Sequence, residues 1–303
     1  MAEEEEKLQR DKSAKLVQNI GIVLFLAPAL ILIGIYIIWP IISSFELSMF
    51  EWDGISPQKL YVGLKNWKDL ANDSIFWHAL WNNIKFIILS IIIEMPIAIL
   101  LAVLLDRGGK KFDAFKSLFY LPMLMSSVAI GVLFKYIYDP SFGLLSGILS
   151  FLHLDFLNQD WLGDPKIAFY SVVAVICWQY IPFYMIFFIA ALSNIPHELY
   201  EAARIDGATQ GQYFWKIELP LLTPSIKTAC ILSLIGSLKY FDLIYVMTEG
   251  GPSNATELMA TYMYKNAFAS FKMGYGSTVA SAMFIIITTA GILAYFATKK
   301  KED

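Results

Sequence analysis

Six runs of mostly apolar residues, each long enough to cross a bilayer, alternate with polar stretches along this chain. They cover approximately Ile20–Ile42, Phe86–Leu105, Ser117–Tyr138, Ile167–Leu192, Thr228–Thr248 and Ser277–Ala297. A helix rises ~1.5 Å per residue, so ~20 such residues span a hydrocarbon core of ~30 Å. The pattern predicts an all-α integral membrane protein with six transmembrane helices. The first, fourth and sixth runs hold no charged residue. Pro28, Pro40, Pro96, Pro122 and Pro182 fall within or at the ends of runs. A proline lacks the backbone donor that a helix needs, so bent or interrupted helices are expected. The first run exceeds the ~7–15 apolar residues of a signal peptide and reads as a retained helix.

The cationic residues orient these helices, because Lys- and Arg-rich loops stay on the cytoplasmic side. With six spans, residues 1–19, 106–116, 193–225 and 298–303 share one side and carry 13 Lys and Arg in 69 residues. The opposite loops, 43–81, 139–166 and 249–276, carry 6 in 95. Both termini are therefore expected inside the cell. The organisation that follows is a cytoplasmic N-terminal segment (1–19), a six-helix domain (20–297) and a cytoplasmic tail (298–303). Trp52, Tyr61, Trp67, Trp77 and Trp81 crowd the first external loop, as an interfacial aromatic belt or a partner-binding surface would.

Composition agrees and excludes other classes. The chain is 57% hydrophobic and 16% charged, with a net charge of −3, so lipid is the expected solvent and there is no basic excess for nucleic acid. Cys177 and Cys230 both sit in apolar runs, as small hydrophobes do. No internal repeat is visible, against an inverted-repeat carrier. His78, His153 and His197 are scattered among loops without metal-ligand spacing, which disfavours a membrane-embedded enzyme. Gly108-Gly109-Lys110 lacks the partner glycine and following hydroxyl of a phosphate-binding loop, so no ATP hydrolysis is expected on this chain.

The third cytoplasmic loop has its own pattern. Glu198 through Ile205 are good helix formers, Gly207 can take the left-handed conformation that ends a helix, and a second short helix can run toward Pro220. In the helix-turn-helix so predicted, Ala202 and Ala203 would let a partner approach the backbone, with Glu201, Arg204 and Asp206 at the rim. An ordinary amphipathic connector fits the same pattern. The string Glu201-Ala202-Ala203, then Asp206-Gly207-Ala208, Phe214, Ile217 and Leu219-Pro220, resembles the EAA loop of binding-protein-dependent ABC importer permeases. The resemblance implies a type I ABC importer fold in which residues 193–222 form a coupling helix docked on an ATP-binding subunit. Glu201, Ala202, Ala203, Arg204, Asp206, Gly207, Phe214, Leu219 and Pro220 would carry that coupling.

Further blocks are similar to the carbohydrate branch of that family: Gly63–Trp67, Leu121-Pro122-Met123, Asp139–Gly143, Trp161–Pro165, Phe241–Pro252, Tyr262, Tyr264, Ala267-Phe268 and Gly274-Tyr275-Gly276. Together they look like the larger maltose permease in a compact form, without the large external insertion of the enterobacterial subunit. The resemblance implies a second homologous permease, two ATP-binding subunits that hold ATP and Mg, an external solute-binding protein, and a sugar, most simply a di- or oligosaccharide. Glycerol-3-phosphate importers share these motifs, and a proton-coupled sugar carrier is a third reading.

Candidate path residues come from the spans themselves. A charge at mid-membrane costs at least ~2.5–3.5 kcal/mol and usually faces a bundle interior or a wet cavity. Glu94 beside Pro96, Lys239 and Asp242 are such charges. Lys239 and Asp242, three apart, fit a local ion pair as well as a pathway, while Lys135 near the outer end of its run is expected to snorkel. Sugars suit flat aromatic surfaces with hydrogen-bonding groups, which Trp178, Gln179, Tyr180, Tyr184 and Tyr240 offer. Packing is their other reading, and the resemblance favours the fourth and fifth helices as pore lining.

Overall fold

The computed structural model describes residues 21–108 and 112–299. Residues 1–20, which include the N-terminal segment and the first residue of the first run, 109–111 and tail residues 300–303 lie outside the described residues. Four helices are long and apolar enough to cross a membrane: α1 (Gly21–Leu47), α3 (Ser74–Arg107), α7 (Ala168–Leu192) and α13 (Met273–Lys299). Two helix pairs are apolar enough to cross together but are sharply bent. In one, α4 (Asp113–Leu124) meets α5 (Ser127–Ile137) at 91°; in the other, α9 (Gln210–Leu221) meets α10 (Thr223–Leu238) at 62°. Counting each bent pair as one span gives the expected six. Shorter elements complete the chain: α2 (Lys65–Ala71), α6 (Leu144–Phe151), α8 (His197–Ile205), α11 (Asp242–Thr248) and α12 (Met259–Tyr264). A two-stranded antiparallel hairpin, β1 (Phe50–Glu51) with β2 (Leu60–Tyr61), follows α1.

Three boundaries differ from expectation, each for a physical reason. The second run begins at Ser74, twelve residues early, because Asp73 caps the helix by accepting from the Ile75 and Phe76 amides. Its first turns carry Trp77, His78 and Trp81, so these are helical and not loop residues. The third run is not one helix. Met125 and Ser126 are extended, with ψ of 146° and 132°, three residues after Pro122 has removed a backbone donor. The fifth run, expected as one helix to Thr248, stops at Leu238; Lys239, Tyr240 and Phe241 are non-helical before α11 begins at Asp242.

A helix end at membrane depth leaves amide groups that must find partners inside the protein. Here α3 supplies them. Asn83 Nδ2 donates to the Ser237 carbonyl at 2.7 Å, and its Oδ1 accepts from the Met259 amide at 3.0 Å. Asn82 Nδ2 donates to the carbonyls of Ala255 (3.1 Å) and Glu257 (2.9 Å). Both asparagines are fully buried. The apolar core runs along α3 and α7 in two clusters, one around Phe86, Ile176 and Ile244, the other around Met95, Phe188 and Leu222. A third joins α3, α12 and α13 around Phe76, Met259 and Val279. The first half of α1 exposes nearly all of its side chains, while Ser44 near its far end is 3.1 Å from the Ser277 carbonyl of α13.

The two ends of the bundle are distinct. At one, the hairpin packs on α13 so closely that a Cβ at Gly274 would collide with the Phe50 carbonyl oxygen. Asp73 there accepts from the Tyr262 and Tyr275 hydroxyls. Burial pushes its carboxyl up, but those hydroxyls and the two cap amides outweigh it and hold it below its usual range. At the other end, Lys227 Nζ reaches the Thr298 carbonyl at 3.1 Å, and Arg107 pairs with Glu218.

Candidate functional site

Midway along the bundle lies a cavity of about 400 Å³. Its wall is built from four elements and a break, with α4 adding Met123. From α3 come Phe86 and Glu94; from α7, Ile176, Tyr180 and Tyr184; from α10, Ser233 and Ser237. Residues 176, 180 and 184 are four apart, the spacing that puts side chains on one helical face. The break between α10 and α11 adds Lys239, Tyr240, Phe241 and Asp242.

Six of the eight expected path residues, Glu94, Tyr180, Tyr184, Lys239, Tyr240 and Asp242, therefore share one wall. Trp178 and Gln179 do not. They sit ~200° and ~300° round α7 from Ile176 at ~100° per residue, and both meet α5. The Trp178 ring is 5.3 Å from Phe134, and Gln179 Nε2 is 3.5 Å from Ser127 Oγ. Of the two readings of Lys239 and Asp242, the local helical ion pair is absent. The helix is broken between them, and among the described residues they form no ion pair. Lys135 is exposed in the last turn of α5, as expected.

The wall chemistry is mixed. Glu94 is 3% exposed, and its Oε2 accepts from Ser233 Oγ at 3.3 Å. The Tyr240 ring packs edge-on against Phe86 (5.5 Å) and Tyr180 (6.0 Å), while its hydroxyl has no hydrogen-bond partner among the described residues. An unpartnered buried hydroxyl beside aromatic faces and carboxylates suits a neutral ligand rich in hydroxyls. Phe86, Ser233 and Phe241 escaped the sequence reading. Ser233, Gly236 and Ser237, small residues interrupting an apolar run, were the available signal. Among the described residues no group of three or more His, Cys, Asp or Glu could hold a metal.

A second constellation occupies the end of the bundle that holds Arg107. Helix α8 stops where the sequence predicts: Gly207 has φ +77°, its amide donates to the Arg204 carbonyl at 3.1 Å, and the Ala208 amide donates to the Ala203 carbonyl at 2.9 Å. That is the paired capping of a left-handed helix end. Thr209 then opens α9 with a reciprocal cap. Its Oγ1 accepts from the Gln212 amide at 3.3 Å, and its own amide donates to Gln212 Oε1 at 2.8 Å. Glu201, Ala202, Arg204, Ile205 and Asp206 are exposed on this helix-turn-helix; Ile205, an apolar side chain, is 86% exposed. Ala203 is buried, so the expected two-alanine surface narrows to Ala202. Phe214 is half-buried against the core of α3 and α7, and Leu219-Pro220 closes the pair before α10. Glu218 accepts from Arg107 at 2.6 Å, a contact between the end of α3 and α9 that the sequence gives no means to pair.

Comparison with known proteins bears on both constellations. Residues 94–301 match the family described as binding-protein-dependent transport system inner membrane component. Over 140 residues, 46% of this chain and 100% of the relative, the sequence is 91% identical to the putative ABC transporter permease protein ORF1 of Caldicellulosiruptor sp. (strain Rt8B.4). It is 32% identical over 292 residues, 96% of this chain and 98% of the relative, to the probable starch degradation products transport system permease protein AmyD of Thermoanaerobacterium thermosulfurigenes. A crystal structure of a bacterial ABC transporter that imports the acidic polysaccharide alginate superposes with a TM-score of 0.82 at 23% identity, covering 95% of this chain and 100% of that one, a likeness of fold. With a family match across more than half its length and a relative aligned nearly end to end, this chain belongs to the inner membrane components of binding-protein-dependent transport systems.

Proposed function

We propose that this chain is a channel-forming permease subunit of an ATP-driven importer that carries a di- or oligosaccharide through the α3–α7–α10 cavity. Sugar is supported by the relative named for starch degradation products and by the wall itself, where Tyr180, Tyr184, Tyr240, Phe86 and Phe241 offer flat faces and Ser233, Glu94 and Asp242 offer hydrogen bonds. A second homologous permease would complete the path, since this wall is open on one side. Two ATP-binding subunits would hold ATP and Mg, and an external solute-binding protein would deliver the sugar. The α8–α9 pair, residues 197–221, is the proposed coupling segment, with both termini on the same, cytoplasmic side. ATP-driven closure of the partners would move this segment and shift the helices between outward-open and inward-open arrangements.

The single observation that carries the reading is the solvent-facing helix-turn-helix, closed by Gly207 and reopened by Thr209, at the end of a bundle whose interior holds an aromatic and polar cavity. The test is uptake of a labelled neutral oligosaccharide by proteoliposomes containing the assembled complex with its solute-binding protein. Uptake that needs ATP is the expected outcome; uptake driven by a proton gradient without ATP would overturn it.

A further inference from the structure

Helix α3 runs unbroken for 34 residues, about 51 Å at ~1.5 Å per residue. At one end Asn83 holds the break between α10 and α11. Near the middle Glu94 binds Ser233 at the cavity. At the other end Arg107, in the last turn, donates to Glu218 of α9. Beside this pair, Phe214 of α9 packs against the apolar cluster to which Val103 and Leu105 of α3 belong. Apolar contacts are non-directional and allow sliding, whereas a guanidinium-carboxylate pair fixes both distance and angle. The Glu218 side chain is 10% exposed and that of Arg107 is 31% exposed, so the pair is largely shielded from solvent. Glu218 also ends a π-helical turn, Phe214–Glu218, a local geometry often found where helices must adjust.

We propose that the Arg107–Glu218 pair is the joint that passes displacement of the α8–α9 segment to α3, and so to the cavity and the α10–α11 break. The inference rests on the reading of α8–α9 as the coupling segment. Arg107 is then a positioning residue. It touches neither sugar nor nucleotide, and its loss disconnects ATP hydrolysis from movement of the path.

The test uses reconstituted complex carrying Arg107→Gln, Glu218→Gln, Glu218→Asp, or the exchanged pair Arg107→Glu with Glu218→Arg. Sugar uptake per ATP hydrolysed is measured beside subunit stoichiometry. The two glutamine variants should assemble and hydrolyse ATP while that ratio falls at least about five-fold, the lower range of a typical coupling energy. Glu218→Asp and the exchanged pair should recover most of it, a rescue that a merely structural contact elsewhere in the loop would not produce. A wild-type ratio in the glutamine variants would overturn the joint while leaving the importer reading intact. Should the glutamine variants fail to assemble, Glu218→Asp decides, because it keeps the charge: a partial ratio supports the joint and a fully lost ratio overturns it. Wild-type complex without any ATP-dependent uptake would overturn the reading and the joint with it.

Discussion

Asp73 shows how much one side chain can fasten. It caps α3 through two amides and accepts hydroxyls from α12 and α13. Asp73→Ala removes a cap worth ~1 kcal/mol and hydrogen bonds to a charged group of ~1.5–3 kcal/mol, so the thermal midpoint of purified protein should drop by several degrees. Asp73→Asn, which can still accept, should be milder. The pH dependence has a definite sign. Because the folded carboxyl is held low, its contribution is fully present above the unfolded value of ~3.9 and is lost as pH falls through the folded value. The wild-type advantage over Asp73→Asn should therefore persist at pH 5 and shrink in stronger acid; an advantage that grows on acidification would contradict the arrangement. In the cavity, Lys239 and Asp242 are not a self-neutralising pair. Lys239→Met and Asp242→Asn should each lower oligosaccharide uptake several-fold, and the double variant should assemble without regaining it. Recovery in the double variant would restore the ion-pair reading.

Among the elements, those fixed by local pattern were readable and those fixed by remote partners were not. Helix α7 was found almost to the residue because its apolar run is bounded on both sides. The stop at Gly207 was readable because a left-handed residue belongs to the sequence at that point. The break at Lys239–Phe241 was not. It contains neither Gly nor Pro, and the group that stabilises it, Asn83, lies 154 positions from Ser237. The first turns of α3 were missed because Trp77, His78, Asn82 and Lys85 dilute the apolar run. The facing of α7 was half readable: nearly apolar all round, it shows no sequence signal that separates Tyr180 and Tyr184 from Trp178 and Gln179. Gly207 gives an element-scale prediction. No atom lies within 4 Å of where its Cβ would be, so a substitution there acts through φ alone. Gly207→Val, straining a left-handed position by ~1–2 kcal/mol, should lower uptake per ATP several-fold while leaving membrane insertion intact. Gly207→Asn should be closer to wild type.

For the whole molecule, the grouping of loops by cationic density agrees with the two ends of the bundle. Arg107, Glu218, Lys227 and Thr298 gather at one end; the hairpin, Asp73 and residues 249–276 gather at the other. Which end faces the cytoplasm is a matter for labelling. Ser253 is exposed, and Ser253→Cys should react with an impermeant thiol reagent applied outside intact cells. Reaction solely from the cytoplasmic face of inverted vesicles would reverse the orientation. Span count and family resemblance were legible along the chain, whereas the cavity was legible only in part: six of its wall residues were expected, but residues from positions 86 to 242 meet there only after folding.

The neighbouring amides Asn82 and Asn83 carry one more consequence. Adjacent residues on a helix point ~100° apart, so the two grip different segments: Asn82 holds the loop at Ala255 and Glu257, Asn83 the end of α10 and the start of α12. A twist of α3 about its own axis carries both side chains with it, so it strains bonds to two separate segments at once. This end of the bundle is thus geared to the rotation of α3: the loop at Ala255 and Glu257, the end of α10 and the start of α12 would be dragged round as a unit.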